Sequence, residues 1–274
     1  MGSRVPEPND YDRFVDWRKR LDRELPFYRR EFDAHGVRRV IDVGCGTGML
    51  PIRWAAWGLD VVGVDPDDGM LEKAAANAEE ARVEIEAAGG SVRFVSGGFG
   101  GLADLGLGTF DAVTCTGNAL PHIAGRDALG PVLRDLAAVL RPGGLLVLHL
   151  LNHDRLLDAR LRSIPPVVRE AEDGTWVFLR FMDYEGEGIR FDFVTLHRPV
   201  GAWENRLGWE TTSRRSLHTA LPSQFLRGGL AAAGFPDVRA YGNHSGAAFR
   251  PAEDESVLMV AVRAEGGFAQ SGRF

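Results

Sequence analysis

The fold class this sequence predicts is a doubly wound, mostly parallel α/β sheet carrying an antiparallel β insertion. Three observations lead there. Apolar strand-like runs alternate with helical segments over residues 37–153, a glycine cluster follows the first run, and beyond His153 β segments succeed one another without helices. Parallel neighbours need crossover helices, whereas antiparallel ones need only turns. The length of 274 residues accommodates one enlarged domain, or a main domain with a smaller partner.

Along residues 11–35, Phe14, Trp17, Leu21, Leu25, Tyr28 and Phe32 recur at spacings of three and four, as one face of an amphipathic helix does. Pro26 is expected to kink or split that helix, and Gly36 to stop it. Residues 37–43 read as a buried strand feeding into glycines 44, 46 and 48. A helix over 51–57 ends at Gly58, and a second strand over 60–64 ends at Asp65. The alanine- and glutamate-rich stretch 67–88 has high helix propensity, and strands at 91–96 and 110–114 flank a glycine-rich loop. A helix over 126–140, a turn at 141–144 and a fifth strand over 145–150 complete this half. Residues 175–184, 189–197 and 209–217 then form an antiparallel meander, with Gly186 and Gly188 in its first turn. A helix over 222–233 and strands over 238–241 and 257–262 close the main sheet, one strand running antiparallel. The expected organisation is a helical lid over 1–36, a ligand-binding domain over 37–153 and 220–264, and a substrate-covering insertion over 154–219.

Composition narrows the function. Hydrophobic residues at 45% and charged residues at 26% exclude wholesale disorder. With 32 basic against 38 acidic residues the net charge is −6, which disfavours nucleic acid as a partner. No apolar run approaches the roughly 20 residues of a membrane span, and the polar start lacks a signal-peptide pattern, so no membrane partner and a cytoplasmic location are expected. The two cysteines, Cys45 and Cys115, are too few for a disulfide framework or a structural zinc site, so no metal is expected. Homo-oligomer formation stays open.

The informative segment is 40–48, Val-Ile-Asp-Val-Gly-Cys-Gly-Thr-Gly, at the carboxyl end of the first strand, where open α/β sheets bind ligands. Glycine there lets the backbone turn sharply and lie against a ligand. A dinucleotide fingerprint would need a third glycine where Met49 stands. Asp42, just before the loop, would repel a pyrophosphate and attract an ammonium or sulfonium group.

On these residues the sequence resembles a class I S-adenosylmethionine-dependent methyltransferase, over about residues 10–155. The resemblance implies a Rossmann-like methyltransferase sheet and S-adenosyl-L-methionine as cofactor. It implies that Asp42, Gly44, Cys45, Gly46 and Gly48 lie under the methionine part, and that Asp65, followed by Pro66, binds the ribose hydroxyls. An N-cap for the next helix is the other role open to Asp65. Gly98 and Phe99 match the place where the family grips adenine, with Met70 on the other face. Phe99 is either a stacking partner or a core aromatic, and Gly98 departs from the Asp or Asn of many relatives.

A narrower resemblance follows from Thr116-Gly117-Asn118-Ala119-Leu120-Pro121-His122 and Asn152-His153-Asp154, which are similar to stretches of glycine and sarcosine N-methyltransferases. It implies that Thr116 joins the cofactor set, that Asn118 faces the acceptor and that His122 lies by the cofactor. It implies that Arg20 holds the cofactor carboxylate, where the alternative is a solvated helix arginine paired with Glu24, and that Tyr11 closes over the cofactor. The arginine that grips glycine in that group is replaced by Leu151, so glycine is expected to be a poor acceptor. In the insertion, Arg180, Tyr184, Arg190, His197, Trp203 and Arg214 are candidates for the acceptor side. The expected function is methyl transfer to a small-molecule acceptor at an amine nitrogen, with Asn118 and His122 as catalytic residues. The alternatives are O-methylation with His122 as general base, and a cofactor-binding module without turnover.

Overall fold

The computed structural model describes residues 8–201 and 208–265. Helices α1 (Pro8–Phe14) and α2 (Trp17–Ala34) lead into β1 (Arg39–Val43), α3 (Met49–Ala55), β2 (Asp60–Asp65), α4 (Asp68–Glu80), α5 (Arg82–Ala87) and β3 (Ser91–Ser96). There follow β4 (Phe110–Cys115), α6 (Leu129–Ala138), β5 (Leu140–Leu151) and α7 (His153–Ala159). Strands β6 (Ser163–Ala171), β7 (Gly174–Glu185), β8 (Gly188–Pro199) and β9 (Glu210–Thr219) precede α8 (Ser223–Ala232), β10 (Asp237–Tyr241) and β11 (Ser256–Val262).

The main sheet has seven strands in the order β10-β11-β5-β4-β1-β2-β3, with β11 antiparallel to both of its neighbours. Its order reverses between β1 and β4, so the loops leaving those two strands flank a crevice at the carboxyl edge. One face packs α6 and α8 through Leu133, Leu136, Leu226 and Leu230; the other packs α2 and α3 through Phe27, Phe32 and Trp54. Strands β6 to β9 form a separate antiparallel sheet in chain order. A small cluster of Leu156, Met182, Ile189, Phe191 and Ala220 ties this sheet to the rest.

Four expectations need correction. Pro26 does not split its helix; it stands exposed inside α2, and the break falls instead at Asp16, whose side chain caps α2 by accepting from the Lys19 N–H at 3.1 Å. The stretch at 141–144 is no free turn but a bulge within β5, because the register against β4 jumps from Phe110↔Leu140 to Ala112↔Leu145. The insertion holds four strands, not three. The strand β6 carries Pro165 and Pro166, which hid it; they are accommodated on an edge strand, at a register shift between Ile164 and Val167. Helix α7, capped by Asn152 Oδ1, was also not foreseen.

Close packing at the carboxyl edge leaves no room for a Cβ at Gly44 or Gly48. Gly48 has φ +76°, and a Cβ there would fall 2.6 Å from Phe94 Cζ and 2.9 Å from Ala74 Cβ. Gly36 also has positive φ but open space around it. Gly48→Ala is therefore expected to cost about 2–5 kcal/mol, from the left-handed penalty plus overpacking, and Gly36→Ala only about 1–2 kcal/mol. Urea denaturation of the two variants measures the difference.

Candidate functional site

Glycines 44, 46 and 48 all have positive φ, which lets the chain leave β1 and wind around the end of β2. The Gly44 and Cys45 N–H groups donate to the Val64 carbonyl at 2.8 and 3.1 Å. Asp65 then fastens the loop: Oδ2 accepts from the Gly46 N–H at 2.8 Å and Oδ1 from the Asp67 N–H at 3.0 Å. The helix cap considered for Asp65 belongs instead to Asp67, which accepts from the Met70 N–H at 3.0 Å. Burial raises the Asp65 pKa, partly offset by the two N–H donors. Each carboxylate oxygen keeps a lone pair directed away from the loop.

Helix α1 lies over this loop. Asp12 Oδ1 accepts from Thr47 Oγ1 and from Trp17 Nε1, both at 2.7 Å. A Cβ added at Gly46 would lie 3.8 Å from the Tyr11 ring, and one at Gly117 would lie 3.6 Å from the Tyr11 hydroxyl and 3.8 Å from Arg20 Nη2. Tyr11, Arg20 and the loops leaving β1 and β4 thus converge on one spot. Arg20 is paired with Glu24 at 3.0 Å, as one reading had it, but its side chain is only 13% exposed and is not solvated. Burial opposes its charge, yet Tyr11 and Glu24 hold its pKa above the usual value.

Asp42 lies beneath the loop, not on its surface: it is 2% exposed, and Oδ1 accepts from Thr114 Oγ1 at 2.6 Å. Burial pushes its pKa up to about 7 against the hydrogen bond from Thr114. The Cys45 thiol is likewise driven up by burial and by Asp42, so it is inert as a nucleophile. Thr116 and Met70 are buried, Pro66 is exposed, and a Cβ at Gly98 would come no closer than 3.8 Å to Pro66. Phe99 packs against the main core cluster. A surface cleft of about 710 Å³ between α4, α5 and β3 contains none of these residues.

Asn118 is one of two non-glycine residues with positive φ among those described, at +69°, a conformation that asparagine tolerates better than most. Its Oδ1 accepts from the Leu151 N–H at 3.0 Å, and its Nδ2 lies 3.3 Å from His218 Nδ1. Asn118 therefore joins the β4 loop to the end of β5 and to the insertion. His122 is exposed on one side and packs against His218 on the other, with ring centroids 4.4 Å apart. Burial lowers the His122 pKa. Sequence reasoning missed His218; the β9 alternation, which places 214, 216 and 218 on one face, was the available signal.

Of the insertion candidates, Arg180 faces inward beside Phe14, while Arg190 pairs with Glu185 and Tyr184 donates its hydroxyl to Leu161. His197 stacks on Trp176, and Arg214 is half-buried on β9. Trp203 lies outside the described residues. Behind Arg20, Glu24 Oε2, His149 Nδ1 and His244 Nε2 lie within 4.8 Å of one another without hydrogen-bond partners. Arg20 and Arg23 both hold Glu24 Oε1, so a divalent cation here would be brought against two guanidiniums. The cluster is better suited to backing Arg20.

Comparison with known proteins adds to this geometry. Residues 40–144 match the family model of a methyltransferase domain. The glycine/sarcosine N-methyltransferase of Parasynechococcus marenigrum (strain WH8102) is 36% identical over 148 residues, covering 54% of this chain and 50% of that protein. The chain thus spans about half the length of the curated relatives it matches. Among solved structures, a S-adenosylmethionine-dependent methyltransferase from Clostridium acetobutylicum ATCC 824 aligns with TM-score 0.70 at 15% identity, covering 94% of this chain and 95% of that one. The sugar N-methyltransferase KedS8 from Streptoalloteichus sp ATCC 53650 aligns with TM-score 0.69 at 23% identity, covering 97% and 95%. These two likenesses establish the Rossmann-like methyltransferase fold. No described helix is long and apolar enough to cross a membrane.

Buried histidines around the site set its acid sensitivity. Burial pushes His149 down to about 3, His153 and His244 to about 4 and His218 to about 2. Unfolded, each titrates near 6.5, so below that pH the unfolded chain binds protons that the folded one refuses. Each such group contributes stability that is complete above pH 6.5 and is lost as pH falls toward 4, by about 1.4 kcal/mol per pH unit. Asp42 and Asp65, with raised pKa values, work in the opposite direction but are fewer. The unfolding free energy is expected to be lower at pH 5 than at pH 7.5, and His244→Gln should flatten the slope. Urea titrations at both values check this.

Proposed function

We propose, on the premise that residues 40–144 of this chain are a class I S-adenosylmethionine-dependent methyltransferase domain, that the protein transfers a methyl group to the amine nitrogen of a small molecule. The observation that carries this reading is the convergence of Tyr11 and Arg20 on Gly46 and Gly117, beside a carboxylate at the end of β2. Backbone without Cβ atoms, a buried guanidinium and a carboxylate with free lone pairs form a donor set suited to an amino-acid carboxylate at one end and ribose hydroxyls at the other.

When bound, S-adenosyl-L-methionine supplies a methyl carbon activated by its sulfonium leaving group. Gly44, Gly46 and Gly48 would bed its amino-acid part, with Arg20 on the carboxylate and Asp65 on the ribose. Gly98 and Met70 would border the adenine. Tyr11 and α1, latched through Asp12 and Thr47, would shield the loop from water. Asn118 and His122, on the loop leaving β4, would orient the acceptor's lone pair, held in line by the surrounding walls. An amine needs only to arrive unprotonated and keeps its remaining protons after transfer, and His122, whose pKa burial lowers, would accept a hydrogen bond from the acceptor N–H and aim its lone pair. The same histidine would serve an alcohol acceptor as general base, which is the second reading. We further read residues 1–36 as the lid and 154–219 as the acceptor cover, in a cytoplasmic protein.

Calorimetry is expected to give binding of S-adenosylhomocysteine and none of NAD; the reverse would remove the reading. Asp65→Ala should weaken S-adenosylhomocysteine by tenfold or more, at least about 1.4 kcal/mol, because both the ribose partner and the anchor of the Gly46 N–H are lost. A screen with labelled methyl donor, in which amines and alcohols are paired on one carbon skeleton, decides between nitrogen and oxygen. Glycine is expected to give little product, since Leu151 offers no carboxylate clamp.

A further inference from the structure

On the face of the insertion sheet that meets α1, the β7 row is largely apolar and is interrupted by one cation. Along β7 the inward residues are Trp176, Phe178, Arg180, Met182 and Tyr184; Phe178 and Met182, on either side of the arginine, are fully buried. Arg180 is half-buried, and its Nε is shielded from solvent without any hydrogen-bond partner. Its guanidinium lies 5.1 Å from the Phe14 ring centroid, and Phe14 in turn packs edge-on against Phe178 and Phe193. Glu255, exposed just before β11, is the one carboxylate whose field offsets the burial of Arg180, and that burial still lowers the arginine's pKa. A cation placed among aromatic rings with no paired anion costs stability, since desolvation is not repaid. An apolar side chain would fill the same place at lower cost. A bound anion would account for its presence.

Position connects it to the acceptor. Phe14 lies one helical turn beyond Tyr11, which covers Gly46 and Gly117, and the Asn152 N–H bonds to the Glu255 carbonyl at the end of β5. Across the insertion sheet, Arg180 stands on the rung Arg180↔Phe193↔Arg214, whereas His218, which touches Asn118, stands four residues further along β9. That is roughly 13 Å along the strand.

We infer that Arg180 is the anion-recognition residue of the acceptor site, so that the acceptor is an amine carrying a carboxylate or phosphate well separated from the nitrogen. This rests on the methyltransferase reading above. The separation between the Asn118 loop and Arg180, roughly 13 Å along the strands and two strand spacings across them, excludes an amino acid as small as glycine and agrees with the leucine at 151. Guanidinium suits both anions, because its planar fork matches either by two parallel hydrogen bonds.

The test uses the full chain saturated with S-adenosylhomocysteine. Into it are titrated ω-amino carboxylates from glycine to 8-aminooctanoate with their methyl esters, and glucosamine 6-phosphate with glucosamine. The expected result is that a long ω-amino acid or the sugar phosphate binds at least tenfold tighter than its uncharged counterpart, and the responding arm identifies the anion. Arg180→Met should abolish that preference, leave S-adenosylhomocysteine affinity within twofold, and raise the melting temperature of the ligand-free protein by about 2 °C or more. Equal binding of acids and neutral counterparts, no binding by any acid, or a preference that survives in Arg180→Met overturns the proposal. A lower melting temperature in that variant also overturns it, because it would mark a structural arginine. Absence of heat with S-adenosylhomocysteine itself would instead sink the cofactor reading.

Discussion

The carboxylate of Asp65 holds the carboxyl edge of the sheet together. Standing at the end of β2, it takes the Gly46 N–H on one oxygen and the Asp67 N–H on the other. The first bond pins the loop after β1, and the second sets the start of α4. A loop so pinned places Thr47 where Asp12 can reach it, and that contact docks α1. With α1 docked, Tyr11 comes to lie against Gly46 and Gly117, where Arg20, carried by α2, meets Gly117 as well. Each step depends on the one before, because glycine loops have no side chains to order them.

Charge is distributed around this edge in layers. Arg20 and Asp65 border the crevice, whereas Asp42, Glu24, His149 and His244 lie behind it, buried and paired or neutral. Buried ionisable groups cost free energy unless they neutralise or find partners. The groups behind the crevice largely neutralise, and Glu24 remains charged because it faces two guanidiniums. That arrangement keeps Arg20 fixed in one orientation. Arg180 on β7 differs, since its Nε is buried without a hydrogen-bond partner and Glu255 offsets only part of its burial.

The insertion packs against the loops leaving β4 and against α1. Its sheet touches the main domain through His218 against Asn118 and His122, through the Thr219 hydroxyl, which donates to the Ile123 carbonyl, and through Phe178 and Phe193 against α1. Helix α1 and the insertion sheet therefore meet each other as well as the main domain.

What the sequence determined by itself was local. Apolar periodicity located β1, β2 and β4 within a residue or two, because strands buried on both faces read as continuous apolar runs, and located the edge strand β3 between its flanking turns. Asp65 was legible because it ends such a run. The tertiary structure decided what depends on neighbours distant in the chain. Pro26 is harmless because it lies on the exposed side of α2, and the prolines of β6 are tolerated because that strand is an edge. Asp42 loses its place on the crevice to Thr114, and Asn118 is taken up by Leu151 and His218, contacts 72, 33 and 100 residues apart in the chain. No periodicity encodes such distances. Whether a polar side chain is free to meet a ligand is set by the partners that folding brings to it.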